Sequence, residues 1–164
     1  MKSPDLKDEF IYRGAKIDVA WFDVVEKSEI PNLEWHQVYG ICDLDGEVPI
    51  VFYAHARENL PGGHTEAGET LEETLIREIR EELNCEVLEW QPIGYQILSS
   101  PEYGVENQFR VYAKLHKLGE WQPDIGGSVK GYRLVELKDL NSRIQYGVVG
   151  ERMVEIVSRI NPEL

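Results

Sequence analysis

The feature that most constrains the fold of this chain is a regular apolar pattern between residues 70 and 84. Four large apolar residues recur at every fourth position, which predicts an amphipathic helix with one buried stripe. They are Leu71, Leu75, Ile79 and Leu83. Thr70 is followed three residues later by Glu73, the spacing of a capping box. Asn84 tolerates the left-handed conformation that ends a helix. The rest of the chain must therefore provide an apolar surface to cover this stripe.

The same helix is unusually acidic. Residues 62–85 hold seven glutamates and only two arginines. Glu78, Glu81 and Glu82 are spaced i, i+3 and i+4, so they lie on one face of a helix. Like charges at this spacing destabilise a helix by about 0.2–0.5 kcal/mol per pair. A divalent cation would relieve the repulsion, and ligands that are all oxygen favour Mg²⁺ or Mn²⁺. The alternative is a solvated helix face.

Length and charge narrow the class of protein. A chain of 164 residues with 42% hydrophobic residues predicts one globular domain. A net charge of −13 argues against duplex nucleic acid or an anionic membrane as the main partner. The first residues contain no apolar signal sequence, and no apolar run approaches the ~20 residues of a membrane span. Two cysteines without zinc-like spacing favour a reducing cytoplasm.

Strand patterns flank the acidic helix on both sides. Residues 10–26 predict one or two strands with a bend at Arg13-Gly14, and Asp45-Gly46 predicts a hairpin between residues 38–44 and 48–56. Residues 57–63 predict a loop without regular structure. Further strands are predicted over 85–90, 92–98, 108–115 and 131–137, and a last helix over 148–160. This order predicts an α/β sandwich with a mixed sheet.

The residues from Gly63 to Cys85 resemble the Nudix box, G-x5-E-x7-R-E-U-x-E-E-x-G-U, where U is apolar. The matching positions are Gly63, Glu69, Arg77, Glu78, Ile79, Glu81, Glu82 and Cys85. Asn84 stands where the box has its last glycine. The resemblance implies a Nudix fold, an α/β/α sandwich around a central mixed β-sheet. It implies one domain over 1–164, with 1–37 as N-terminal strands and connector and 38–164 as the core.

The resemblance also implies an activity: metal-dependent hydrolysis of the pyrophosphate in a nucleoside diphosphate linked to another group. The implied metal ligands, for Mg²⁺ or Mn²⁺, are Glu78, Glu81, Glu82 and the carbonyl of Gly62. Catalysis would depend on these glutamates and on Arg77, which would hold Glu78 or Glu69 in place by a bidentate contact. Glu69 would be either a further ligand or the structural partner of Arg77.

The general base stays open at this stage. Some Nudix enzymes use a glutamate of the box, and others use an acid on a later loop. Residues 119–127 offer Glu120 and Asp124, and residues 99–107 offer Glu102 and Glu106. Ser128 stands at the start of a strand that often begins with glutamate in this family.

The substrate-binding residues and the partner are less constrained. Arg57, Glu69 and Glu102 are candidates for substrate binding, and His55 and His64 could also contact phosphates. The tyrosines and Trp21, Trp35, Trp90 and Trp121 could stack on a base. Pro101 lies sixteen residues after Cys85, a placement similar to the ADP-ribose pyrophosphatase branch, while a nucleoside triphosphate substrate is equally compatible.

Two further expectations concern the partner and the class of protein. A small-molecule nucleotide is the expected partner, and the N-terminal strands could pair between subunits in a homodimer. The competing hypothesis is a non-catalytic Nudix-fold module that binds a nucleotide or a protein. Such modules usually lose box glutamates, and this chain keeps all of them.

Overall fold

The computed structural model describes residues 2–55 and 57–164. Its strands are β1 (Leu6–Tyr12), β2 (Ala15–Asp23), β3 (Gln37–Asp43), β4 (Val48–Tyr53), β5 (Glu58–Asn59), β6 (Gly62–His64), β7 (Cys85–Ser100), β8 (Gly104–Lys117) and β9 (Val129–Val135). Its helices are α1 (Leu71–Leu83), α2 (Leu140–Ile144) and α3 (Gly147–Ile160). The two long helices agree with the two predicted ones to within one residue at each end.

The strands form two sheets. The larger has six strands in the order β1-β2-β7-β8-β3-β6, and the smaller has three in the order β5-β4-β9. Strands β3 and β8 run parallel, whereas the other paired neighbours are antiparallel. The large sheet is therefore mixed, as the sequence predicts.

The helices cover opposite faces of the large sheet. Leu75, Ile79 and Leu83 of α1 are fully buried in one apolar cluster with Val38 and Phe109. On the other face, α3 contributes to a second cluster whose members include Val149, Met153 and Val157, packed with Ile41 and Trp21. Each helix hides its apolar stripe against one face, and the result is the predicted α/β/α sandwich.

The two predicted turns have different outcomes. Arg13 and Gly14 both have positive φ, of 50° and 84°, and they join β1 to β2 in a tight hairpin, which confirms that prediction. Asp45 and Gly46 also form a turn with positive φ. A bridge between Leu44 and Glu47 pairs across it, but β3 and β4 then enter different sheets. The predicted hairpin is thus wrong beyond its turn, and its extension to residue 56 lies outside the described residues.

The segment 57–63 is more regular than predicted. It contains β5 and the start of β6, and β6 pairs with β3 through Tyr39 opposite Gly62 and Val38 opposite Gly63. The Pro61 carbonyl accepts a hydrogen bond from the Gly40 amide at 3.0 Å. The prediction of a loop fails because this backbone finds its hydrogen-bond partners on a strand distant in sequence.

The strands after α1 are longer than predicted. Residues 85–90 and 92–98 belong to the single strand β7, whose pairing with β8 shifts register between Val87 and Glu89 and between Pro92 and Gly94. The bulges let one strand continue past Pro92. Among the residues described, no helix has the length and apolarity required to cross a membrane.

Candidate active site

Helix α1 begins with the predicted capping box. The Thr70 hydroxyl accepts from the Glu73 amide at 3.1 Å, and the Glu73 carboxylate accepts from the Thr70 amide at 2.8 Å. At the other end, Asn84 has φ 52° and ψ 46°, the left-handed conformation. These two caps fix where the helix begins and ends, so Glu78, Glu81 and Glu82 all lie within it and share one face.

Glu82 is the most buried carboxylate of that face, with 8% of the residue exposed. It accepts a hydrogen bond from the Gly62 amide at 2.6 Å. Gly62 has φ 139°, and a Cβ there would clash with the Val38 carbonyl oxygen. Only glycine fits this place, so the amide can approach the carboxylate closely.

Burial raises the pKa of Glu82 to about 8. The Gly62 amide opposes this rise, and the charges of Glu78, Glu81 and Asp124 add to it. A carboxylate that is buried beside other carboxylates gains from a nearby cation, because the cation stabilises its ionised form. The electrostatics of Glu82 therefore favour a positively charged ligand.

Glu78 lies over the backbone of Gly63. A Cβ on Gly63 would stand 2.5 Å from Glu78 Oε1, so the small residue is required for the close approach of strand β6 to α1. Burial raises the pKa of Glu78, while Arg77 acts in the opposite direction. The two glycines of β6 thus bring two acidic side chains of α1 against a neighbouring backbone.

Arg77 is the centre of the acidic face. Its Nε and Nη2 donate to the two carboxylate oxygens of Glu69 at 2.6 and 3.0 Å. Its Nη1 donates to Glu78 at 2.9 Å and Glu81 at 3.3 Å, and its Nη2 also donates to the His64 carbonyl at 2.8 Å. The sequence leaves Glu78 and Glu69 as alternative partners of Arg77, and the structure places the bidentate contact on Glu69.

Glu69 is held from several sides. The Arg77 guanidinium lowers the pKa of Glu69 to about 2, and the amide of Glu66 and the hydroxyl of Thr74 donate to the same carboxylate. Its oxygens are thus already engaged by donors within the protein. This geometry favours the role of structural partner of Arg77 over that of a further metal ligand.

The fit of these residues to a divalent metal depends on their donor atoms. In residues 2–55 and 57–164, no three acidic, histidine or cysteine side chains converge closely enough to hold a metal ion. Glu82 faces the Gly62 amide, while Glu78 and Glu81 face Arg77. The donors are all carboxylate oxygens, they share one helix face, and one of them is buried. In the chemistry of its donors, though not in their present spacing, this set fits a hard cation such as Mg²⁺ or Mn²⁺.

A later loop packs against the end of α1. Trp121 Nε1 donates to the Glu82 carbonyl at 2.8 Å, and Asn84 Nδ2 donates to the Glu120 carbonyl at 2.9 Å. These contacts bring Asp124 close enough for its charge to raise the pKa of Glu82. The side chain of Glu120 is 94% exposed. Of the acids on this loop, Asp124 is the one that acts on the acidic face.

The other two acids suggested as bases lie elsewhere. Glu102 is in the turn between β7 and β8, where it accepts a hydrogen bond from Ser100 at 2.9 Å. Glu106 accepts a hydrogen bond from Gln108, on the sheet face opposite α1. Ser128 immediately precedes β9 and is exposed. The structure therefore does not bring Glu102 or Glu106 to the acidic face.

A groove of about 830 Å³ opens on the sheet face opposite α1. Arg57 and His64, two of the candidate phosphate contacts, line it, whereas His55 does not. The four tryptophans do not line it either: Trp21 is fully buried, and Trp121 contacts the Glu82 carbonyl. Its aromatic walls are one phenylalanine and four tyrosines, namely Phe10, Tyr12, Tyr39, Tyr103 and Tyr146.

Several residues of the groove were not predicted from the sequence. A row of amide side chains runs across it, from Gln96 to Gln108 at 2.8 Å, to Gln37 at 2.9 Å and to His64 at 3.0 Å. Arg110 lies beside Gln108 on the same face. The signal in the sequence was the alternation of polar Gln108 and Arg110 with apolar neighbours in β8, which places both on one face of a strand.

Comparison with known proteins adds a family match. The model of the NUDIX domain family matches residues 37–155. That range contains the whole acidic helix, both glycines of β6 and the loop that packs on the end of α1. No curated protein sequence matches the chain significantly.

Solved structures share the fold. A Bacillus subtilis pyrophosphohydrolase, BsRppH, crystallised in a mutant form, is 19% identical with a TM-score of 0.73, covering 94% of this chain and 98% of its own. A Nitrosomonas europaea NUDIX hydrolase is 15% identical with a TM-score of 0.62, covering 77% and 90%. A MutT from a study of Aliivibrio salmonicida and Vibrio cholerae is 23% identical with a TM-score of 0.55, covering 73% and 95%.

Proposed function

The chain belongs to the Nudix family, and on that premise we propose that it is a divalent-metal-dependent pyrophosphohydrolase. Its substrate would be a nucleoside diphosphate linked to a second group, of the nucleoside triphosphate or ADP-ribose type. The observation that carries the proposal is the acidic face of α1. There Glu82 is buried against the Gly62 amide, beside Glu78 and Glu81, and the pKa of Glu82 is raised.

The residues that would hold the metal are Glu78, Glu81, Glu82 and the carbonyl of Gly62. A bound Mg²⁺ or Mn²⁺ would neutralise the phosphates, orient them and make a bound water more acidic. The protein contributes the site that excludes bulk water. Glu82 is already desolvated, and the glycines of β6 let that backbone lie close against Val38 on one side and Glu78 on the other.

Arg77 is proposed as a positioning residue. Its planar guanidinium donates to Glu69 through two nitrogens and to Glu78 and Glu81 through the third. This contact holds the glutamates at a defined orientation and offsets their mutual repulsion. Glu69 would serve Arg77 and contact the substrate only indirectly.

Asp124 is the proposed general base among the later acids. The anchors of its loop, Trp121 on the Glu82 carbonyl and Asn84 on the Glu120 carbonyl, hold it near the acidic face. An ionised Asp124 could accept a proton from the attacking water.

Arg57 and His64 would contact the phosphates, since both line the groove that begins beside β6. Glu102, in the β7–β8 turn, is not proposed as the base, and its predicted contact with the substrate stays a prediction.

The Nudix family implies a nucleotide-type small molecule as the substrate.

We further propose that 1–164 is a single domain, because β2 pairs with β7 in the same sheet as the core strands. A homodimer through the N-terminal strands stays a proposal, supported by β1 forming one edge of the large sheet. A cytoplasmic location stays a prediction from the sequence.

The test is hydrolysis of a panel of nucleoside triphosphates, ADP-ribose, dinucleoside polyphosphates and nucleotide sugars, with and without Mg²⁺ or Mn²⁺. We expect metal-dependent release from at least one of them, and loss of this release in Glu82→Gln. The matched control is Glu72→Gln on the same helix, where Glu72 accepts from Trp90 and stands outside the acidic face. Binding of a nucleotide without hydrolysis of any compound would instead support the non-catalytic binding module.

A further inference from the structure

Arg110 is a buried cation in the middle of β8. Only 1% of the residue is exposed, yet its side chain borders the groove. Its Nη1 donates to the Phe109 carbonyl at 3.2 Å and its Nη2 to Gln108 Oε1 at 2.8 Å. Its Nε finds no hydrogen-bond partner among the described residues. Within the same part of the chain, no carboxylate lies within ion-pair distance of this guanidinium.

Two tyrosines partly stabilise the charge. The Arg110 guanidinium carbon stands 4.8 Å from the ring centre of Tyr39 and 5.7 Å from that of Tyr146, within the range of cation–π contact. Burial nevertheless lowers the pKa of Arg110. A buried charge without a counter-ion is destabilising in a folded protein unless an acceptor is supplied. The charge of Glu106, on the same face, acts in the opposite direction on this pKa. The protein thus holds, among the residues that line the groove, a buried guanidinium with one unpartnered nitrogen.

A chain of hydrogen bonds links the acidic site to the groove and to this donor. His64, whose carbonyl accepts from Arg77, contacts Gln37, and Gln37 is linked through Gln108 to Arg110. A substrate with its pyrophosphate at the acidic face of α1 would therefore extend its other end along this row of amides. Aromatic walls favour a flat ring there, since aromatic faces stack on bases.

Resting on the proposed function, we propose that Arg110 selects nucleobases that carry a ring carbonyl where adenine and cytosine carry an amino group. Guanine, hypoxanthine and uracil have this carbonyl. A guanidinium can only donate hydrogen bonds, so it can donate to a carbonyl oxygen. An amino group at the same position would place one N–H donor against another, which is unfavourable. In purines, an arginine can also reach the neighbouring N7 and make a bidentate contact.

The direct test compares inosine monophosphate with adenosine monophosphate. The base of the first has a ring carbonyl where the base of the second has an amino group. Their affinities are measured by isothermal titration calorimetry with the wild-type chain and MgCl₂. Neither compound contains a pyrophosphate, so the result is independent of whether the chain hydrolyses anything. We expect inosine monophosphate to bind about tenfold more tightly or better, the discrimination of one good arginine contact. Equal affinities, or no binding of either compound, would overturn the inference.

The variants assign the preference to Arg110. Arg110→Met roughly keeps the length of the side chain and removes its donors. This variant should bind inosine and adenosine monophosphate with about equal affinity. The matched control is Arg133→Met, since Arg133 stacks on Phe52 outside the groove; this variant should keep the preference. Circular dichroism checks that each variant folds. If Arg110→Met does not fold, Arg110→Gln replaces it, because an amide both donates and accepts hydrogen bonds and so removes the donor-only character; an unchanged preference in the folded variant overturns the assignment.

Discussion

The two faces of the large sheet treat buried charge in opposite ways. On the α1 face, several carboxylates are held together by one arginine, and Glu69 alone receives three kinds of donor from within the protein. On the groove face, Arg110 is buried with an unpartnered nitrogen, and among the described residues no carboxylate lies within ion-pair distance of it, although Glu106 lines the same groove. The first face gathers carboxylates around one arginine, and the second buries one arginine with an unpartnered donor. Each is therefore suited to a ligand of the opposite kind.

Strands β3 and β6 connect the two faces. Gly62 donates to Glu82 on one side, while His64, two residues later, contacts Gln37 in the groove. A ligand with a phosphate end and a ring end could thus contact both faces at once. Cleavage of the phosphate end and recognition of the ring end depend on different residues, so mutations should change the two properties separately.

The largest expected effect is that of Glu82→Gln on turnover. The amide keeps the shape and can still accept from the Gly62 amide, but it removes a proposed metal ligand. Stabilisation of several kcal/mol by a bound metal corresponds to a loss of about 10²–10³-fold in kcat. Steady-state kinetics measure the loss, and calorimetry of inosine monophosphate should show unchanged binding in the groove. An equally active variant would remove the ligand assignment.

Arg77→Lys should have the next largest effect. Lysine keeps the charge but cannot make the bidentate contact with Glu69 while also reaching Glu78. We expect a loss of about 10–100-fold in kcat, the range for residues that orient metal ligands. Arg80→Lys, an exposed arginine in the last turn of the same helix, is the control. Equal activities of the two variants would argue that Arg77 forms only a surface ion pair.

The raised pKa of Glu82 predicts a pH dependence of the metal-free protein. The folded pKa is about 8 and the ordinary value is 4.5, so its contribution to stability is fully present below about pH 4.5. It is lost as the pH rises through about 8, and the free energy of unfolding should fall by several kcal/mol, up to about 5. Urea denaturation in chelator at several pH values measures this fall.

Two variants serve as controls for that pH dependence. Glu82→Gln should flatten it, because the amide does not titrate. Arg110→Met should keep it, because an arginine stays protonated across this range. A wild-type stability that is constant between about pH 5 and about pH 9 would contradict the burial of an acid on the α1 face.

The smallest effect is expected for Asn84→Gly, which restores the residue usual at this position of the box. Glycine adopts the left-handed conformation without strain, but it loses the hydrogen bond to the Glu120 carbonyl. The two changes oppose each other, so the free energy of unfolding should change by less than about 1 kcal/mol. Thermal or urea denaturation measures it. A larger loss would show that the hydrogen bond to the later loop dominates.

Much of the α1 face could be predicted from the sequence, because its determinants are local. The capping box, the left-handed Asn84 and the shared face of Glu78, Glu81 and Glu82 depend on spacings within one helix. The partner of Arg77 was narrowed only to Glu78 or Glu69. The choice depends on how the preceding loop folds back, and the structure places the bidentate contact on Glu69.

The predictions that failed concern backbone that pairs over long distances. The turn at Asp45-Gly46 is correct, but β3 and β4 separate because β3 pairs with β8 and β4 with β9. Residues 57–63 have loop composition, yet β6 is regular because β3 offers it hydrogen bonds. The tryptophans are of a suitable type for stacking on a base, but none of them lines the groove.

The helix, its caps, its acidic face and the family of the chain can all be read from local sequence, because helical periodicity and the box spacing lie within a short stretch of chain. Only the tertiary structure decided that Gly62 meets Glu82, that Asp124 approaches the same carboxylate, and that Arg110 is buried at a groove with an unpartnered nitrogen. These contacts join residues far apart in the chain, and their positions follow from strand order and register, which local patterns do not encode.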